Sequence, residues 1–318
     1  MPRRFFGFSI FLFVTLACSH DDTASAHPRD AAASPDDGVP PRPSVIAPSS
    51  QPYRVVAVSA GGAITGTVDF EGTVPVSAII RPSSDQKVCG NSIVEKNVVL
   101  AGMRVGGAVV WLTDIRSGKA FPLERRFELT NDGCTLDPYV QVISTNGTLN
   151  VSNDDRTLHT NRFINVGTGR IAGIAPFNDD GEVVPLDRFR EPAELEVVCE
   201  QHPWTHAWIA VLDHPYFAQT SASGTFSIDG IPAGRYRVRA WHPALGYSDD
   251  SVTVVPGQQT SVAFRIRATG TTGPAVPTQL APETAPSAAS STPAVPILPT
   301  ASSTPASSSI PKGPPPPR

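Results

Sequence analysis

Between residues 53 and 267 apolar and polar residues alternate with a period of two, and this constrains the chain more than any other feature. The alternation recurs in ITGTVDF (64–70), GAVVWLT (107–113), GTLNVSN (147–153), ELEVVC (194–199), AWIAVLD (207–213) and GRYRVRAW (234–241), with clusters of Gly, Pro, Asn and Asp between the runs. Period two sends successive side chains to opposite faces of a strand, and no segment sustains the 3.6-residue repeat of a core-facing helix. The pattern predicts an all-β fold, a sandwich or a barrel.

Composition sets the limits of this body. Residues 19–52 and 268–318 together hold 20 of the 33 prolines and no Phe, Tyr or Trp, so neither flank can bury a core. We expect a disordered Pro/Asp/Ala linker over 19–52 and a disordered Pro/Ser/Thr/Ala tail over 268–318, which leaves one large β domain or two small ones between them. At the start, Arg3 and Arg4 precede an apolar run from Phe5 to Leu16, too short to span a bilayer and fitting a secretory signal over 1–18. Thr15-Leu16-Ala17 before Cys18 resembles the lipobox of bacterial lipoproteins. That resemblance implies lipidation at Cys18 and an exported protein anchored in the cell envelope, periplasm or outer membrane, touching membrane only through the lipid. A plain signal peptide cut elsewhere is the alternative. The net charge is −4 and basic residues gather on no segment, which argues against a nucleic-acid partner. No G-x-S-x-G, H-E-x-x-H, phosphate loop or dinucleotide fingerprint is present, which argues against an enzyme.

With Cys18 lipidated, Cys89, Cys134 and Cys199 remain for an oxidising compartment, so one is left over. Sequence does not fix the pairing. Cys89 in KVCGN and Cys134 in NDGCTLDP both sit in turn-like segments, whereas Cys199 ends a strand, so we expect Cys89 to pair with Cys134 and Cys199 to stay a free thiol.

Alternation in ELEVVC turns Leu195, Val197 and Cys199 inward, and Glu194, Glu196 and Val198 outward. The chain leaves the strand through Glu200-Gln201-His202-Pro203 and resumes alternating at Ala207. A cysteine and a histidine three apart can turn toward one ion, and LNVSNDDRTLHTN (149–161) is a second strand, broken at Asn153-Asp154-Asp155, that delivers His159. A strand, an Asn, a His six residues on, and C-x-x-H-P-aromatic some 40 residues later resembles the cupredoxins of the amicyanin and plastocyanin type. The resemblance implies a cupredoxin-like Greek-key sandwich over 53–213 and copper held by His159, Cys199 and His202. It also implies one-electron exchange with a redox protein partner. Where that family has its axial methionine this chain has Thr205, so the axial place falls to the Thr205 hydroxyl, a backbone carbonyl, water or nothing. His206 lies on the opposite face of the strand from Thr205. Zinc would call for a fourth good donor. The competing reading is a metal-free scaffold acting as a non-catalytic cell-envelope module that binds a glycan or a protein.

Residues 223–267 carry a second pattern. Gly224, Phe226, Ile228, Ile231, Pro232, Gly234, Tyr236 and Val238 resemble the carboxypeptidase regulatory-like domain, which belongs to the carbohydrate-binding-like folds. It implies a small Ig/prealbumin-like sandwich over 214–267 that carries a fold and no catalytic group. The segment is short for a complete sandwich, and ITGTVDFEGTVP, within 61–75, resembles the family's opening strands. If it supplies them, the intervening domain is an insertion. Trp111 and Trp241 fall at core positions, and His214 and His242 fit structural roles better than ligand roles. The acidic pairs at 178–181 and 247–251 lack the spaced oxygens of a calcium loop and are expected to be turns.

Overall fold

The computed structural model describes residues 40–47, 50–95, 98–187 and 189–267. The expected signal with Cys18, the first part of the linker and the C-terminal tail lie outside the described residues. The described chain is all-β, with one short helix, Gln86–Cys89, and no helix long and apolar enough to cross a membrane.

The strands form two sandwiches. In the first, a five-stranded sheet runs in the order Val140–Ser144, His206–Leu212, Ala193–Cys199, His159–Asn165, Ile171–Phe177. Facing it, a four-stranded sheet runs Thr135–Asp137, Arg126–Asp132, Thr148–Asn153, Val183–Leu186. Leu129, Leu149, Val151, Phe163, Leu195, Val197 and Ile209 fill the space between them. Each sheet is mixed: Thr148–Asn153 runs parallel to Arg126–Asp132, and Val140–Ser144 parallel to His206–Leu212. Parallel neighbours need crossovers rather than hairpins, so the chain passes repeatedly between the two sheets.

In the second sandwich, Phe217–Gln219, Val109–Leu112, Gly234–His242 and Gly246–Val254 form one sheet. Gly62–Glu71 is the spine of the other, pairing antiparallel with Thr225–Ile231 along one edge and parallel with Gln259–Arg267 along the other. Ile64, Val68 and Phe70 point into the core, as alternation dictates, toward Phe226, Val238 and Phe264. At Gly66 the neighbouring strand leaves no room for a side chain: a Cβ there would lie 1.9 Å from the Val262 carbonyl.

The change of sandwich falls near residue 213, but strand pairing places the N-terminal part of the expected 53–213 module with the second sandwich, the arrangement in which 61–75 completes it. Residues 62–71 and 99–112 belong with 217–267, and the first sandwich is the stretch from Arg126 to Leu212 set between them. The long parallel ladder between Gly62–Glu71 and Gln259–Arg267 is the physical reason, since it ties the two ends of the body together. Two further expectations are corrected. Residues 40–47, assigned to the linker, are docked on the body: Arg42 pairs with Glu196, Ile46 is buried, and the Val45 amide donates to Glu194 at 2.9 Å. The acidic run at 247–251 lies inside the strand Gly246–Val254, where Asp249 pairs with Arg239 at 2.6 Å.

A third apolar cluster joins the sandwiches, made by Ile46, Val109, Trp111, Val140, Val166, Trp208, Leu212 and Trp241. Val109–Leu112 is therefore covered on both faces, and so is all of His206–Leu212 beyond its first residue.

Candidate metal centre

The site lies at one end of the first sandwich, where three strand ends meet. Ala193–Cys199 ends with Cys199 facing inward, and the loop to His206–Leu212 is closed by two backbone bonds, Cys199 N to Thr205 O at 3.1 Å and Thr205 N to His202 O at 2.8 Å. That tight ring turns His202 back over Cys199. On the neighbouring strand Asn161 is in register with Cys199, which puts His159, the first residue of that strand, two positions past the end of Ala193–Cys199. Asn153 shapes the preceding loop: fully buried, its amide donates to the carbonyls of Asp155, Thr157 and Asp179 at 3.0, 3.3 and 2.8 Å. The Asn six residues before the histidine thus acts as the clamp that aims it.

The structure brings together all three residues read from the sequence as ligands. Cys199 Sγ lies 3.5 Å from His159 Nδ1 and 3.7 Å from His202 Nδ1, and the two Nδ1 atoms are 3.2 Å apart. A triangle with these sides has its centre about 2.0 Å from every corner, close to usual metal–imidazole and a little under usual metal–thiolate bond lengths. His159 and His202 are fully buried and Cys199 nearly so. Among the described residues no further His, Cys, Asp or Glu joins this group at the same spacing. The donor set is therefore one thiolate and two imidazoles in a trigonal arrangement, which fits copper and lacks the fourth donor of a structural zinc site.

Two carboxylates complete the arrangement, and sequence reasoning missed both. Asp155 Oδ2 sits 3.1 Å from His159 Nε2, and Asp85 Oδ2 sits 3.2 Å from His202 Nε2. Each holds the distal ring nitrogen as the hydrogen donor and leaves Nδ1 free to bind, the usual outer support for a metal histidine. Asp155 is in turn fixed by the amides of Gly133 and Cys134, at 2.8 and 2.9 Å. A carboxylate four residues before His159 was a legible signal in NDD; Asp85, 117 residues from His202, gave none.

Cys89 and Cys134 are joined in a disulfide, and Cys199 is the free thiol among the described cysteines. The Thr205 hydroxyl is engaged elsewhere, donating to the Cys134 carbonyl at 2.5 Å, which Trp204 Nε1 also reaches at 3.2 Å. His206 turns away from the centre to Glu95, 3.5 Å distant.

The electrostatics follow from this packing. Burial raises the Cys199 thiol, but hydrogen bonds from His159 and His202 outweigh it and bring the pKa down to about 6. Burial opposes charge on His159 as well, yet Asp155 and Cys199 hold its proton up to about 9. Without metal the pair is a thiolate beside an imidazolium, a thiol already poised to bind a cation.

A family model described as polysaccharide lyase family 4, domain II, matches residues 168–262, the later strands of both sandwiches. Among solved structures, a Cu-containing nitrite reductase from Thermus scotoductus SA-01 is similar at 21% identity and TM-score 0.25, over 31% of this chain and 25% of that one. A purple cupredoxin from Nitrosopumilus maritimus is similar at 19% identity and TM-score 0.23, over 27% of this chain and 98% of that one. This chain thus spans about a quarter of the nitrite reductase's length. No curated protein matches it.

Proposed function

We propose that the protein is an exported copper-binding protein of cupredoxin type, lipid-anchored at Cys18, that exchanges single electrons with a redox protein partner and catalyses no reaction of its own. The observation that carries this reading is the Nδ1, Nδ1, Sγ triangle of His159, His202 and Cys199, closed around a point at bonding distance from all three. Copper held there would supply one-electron cycling. The chain's own part is to present an ionised sulfur, to orient both imidazoles through Asp155 and Asp85, and to keep water out by burial.

The test is spectroscopic. Cu(II) added to the purified protein is expected to give intense thiolate-to-copper absorption at one equivalent, absent in Cys199→Ser and in His159→Ala. A protein that stays colourless and copper-free while Cys199 reacts with a thiol reagent would overturn the reading. A second role for the second sandwich is favoured by the match to a domain of polysaccharide lyases: non-catalytic binding of a cell-envelope glycan or protein. Retarded migration through polysaccharide-containing gels, unchanged in Cys199→Ser, is the expected sign of glycan binding; migration indifferent to every polysaccharide tried would remove the glycan arm.

A further inference from the structure

The segment Ile79 to Glu95 is a small excursion lying over the metal centre. It consists of a two-residue ladder, Ile79–Ile80 against Ile93–Val94, with the helix Gln86–Cys89 between. A two-stranded ribbon of this size has no independent stability. Nor is it held down by apolar packing: only Pro82 and Cys89 within it are buried, while Ile79 and Val94 are 66% and 56% exposed. A cavity of about 680 Å³ lies between its Ile80, Ile93 and Val94 and the body's Leu136, Tyr139 and Trp204.

Side-chain links tie it to the body instead, Asp85 bonding to Thr157 as well as to His202. Asp85 meets His202 Nε2, Glu95 meets His206 Nε2, and Cys89 is bonded to Cys134. On the body side Cys134 is firmly set, its amide on Asp155 and its carbonyl on Thr205 and Trp204. Asp85 is itself half-exposed, and the Glu95–His206 contact is long at 3.5 Å, so the covalent link is the one that must be broken chemically before the segment can leave. Yet His202 is completely buried, and the residue covering its Nε2 edge is Asp85 of this same excursion.

We propose that residues 79–95 are a cap over the metal centre and that the Cys89–Cys134 disulfide is its latch. Asp85 acts as a positioning residue, holding His202 in its ligand orientation while the latch is closed, and opening the latch lets metal in and out. The inference rests on the metal-binding reading for its purpose, though not for its mechanics. Opening needs a dithiol reductant: the sulfur–sulfur bond breaks, Cys89 and Cys134 take two electrons and two protons as thiols, and the dithiol becomes a disulfide. The cap then swings out by local unfolding while both sandwich cores stay formed.

The experiment uses the full chain without metal and follows the rate at which Cys199 reacts with a chromogenic disulfide reagent. In Cys89→Ser/Cys134→Ser the rate is expected to rise about ten-fold or more, with the far-ultraviolet circular dichroism of the wild type retained. Asp85→Gly should give a smaller rise, and Asp85→Asn should restore the wild-type rate, because its amide oxygen still accepts from His202. Asp85 has φ of 50°, which glycine and asparagine tolerate, so neither change strains the backbone. In copper-loaded protein the same order should hold for transfer of Cu(I) to a chelator. If the double variant does not fold, hydrogen exchange before and after native-state reduction of the wild type decides: faster exchange confined to 79–95 and 199–206 supports the cap. An unchanged Cys199 rate in a folded double variant, or exchange unchanged on reduction, overturns it. A chain that takes up no copper but shows the thiol response sinks the metal reading and leaves the cap standing.

Discussion

Cys199 is where burial and hydrogen bonding pull hardest against each other. Desolvation favours the neutral thiol, whereas two imidazoles and the amides around the loop favour the anion, and the anion wins. The metal-free protein should therefore show thiolate ultraviolet absorbance that rises as pH passes through about 6, and that is missing in Cys199→Ser. Asp155→Asn removes the charge that holds the proton on His159, so the imidazolium weakens and the thiolate loses its strongest partner. The absorbance step should move to higher pH in that variant. A step left in place would mean that Asp155 only braces the loop through Gly133 and Cys134.

At the scale of elements, what could be read from the sequence was decided by how many faces of a strand are covered. Gly62–Glu71 and Ala193–Cys199 alternate because one of their faces meets a core, and the inward set Leu195, Val197, Cys199 follows directly. His206–Leu212 and Val109–Leu112 are covered on both sides by the junction of the sandwiches, so their apparent alternation carries no outward face. The ligands were legible because His159, Cys199 and His202 sit at fixed offsets from strand ends. Asp85 was not, since only the folded cap brings it to His202. The docked strap 40–47 escaped for a similar reason: its partners Glu194 and Glu196 lie about 150 residues away on a face that alternation marked as solvent. Burial there raises the pKa of Glu194 above its ordinary 4.5, against the pull of the Val45 amide and Ser44. The folded state thus keeps this proton to higher pH than the unfolded chain, and stability is lost as pH rises from 4.5 through the folded value. Glu194→Gln keeps an oxygen for Val45 and Ser44 and abolishes the titration. It should be at least as stable as wild type at neutral pH, with the difference narrowing toward pH 4.5, measured by denaturant midpoint. A less stable Gln variant at neutral pH would show that the attraction of the Arg42 charge for Glu194 outweighs burial.

For the molecule as a whole, the shared cluster around Trp208 and Trp241, whose rings meet edge to face at 6.5 Å, makes each sandwich part of the other's core. Neither can unfold without exposing that surface, so one cooperative transition is expected, and groups buried in either module report on the whole. Two histidines outside the metal centre are such groups. Burial lowers His214 to about 4, its Nδ1 accepting from the Tyr216 amide at 3.2 Å, and burial alone lowers His242 to about 4, its Nδ1 having no partner. In the unfolded chain each takes a proton near 6.5, whereas the folded protein refuses it until about 4. The contribution of these two histidines is therefore full above 6.5 and falls as pH drops through that window, by up to about 3 kcal/mol each. Glu194 works in the opposite direction near the bottom of the window, but a single carboxyl does not offset two imidazoles. His242→Leu fills a similar space, removes an unpaired buried nitrogen and deletes one of the two titrations. Its denaturation midpoint should exceed that of the wild type, by more at about pH 5 than at neutral pH, because only the wild type must protonate His242 on unfolding. Equal pH slopes in the two proteins would mean that His242 is reached by water and proton in the folded state, and that the junction between the sandwiches is open where the packing has it closed.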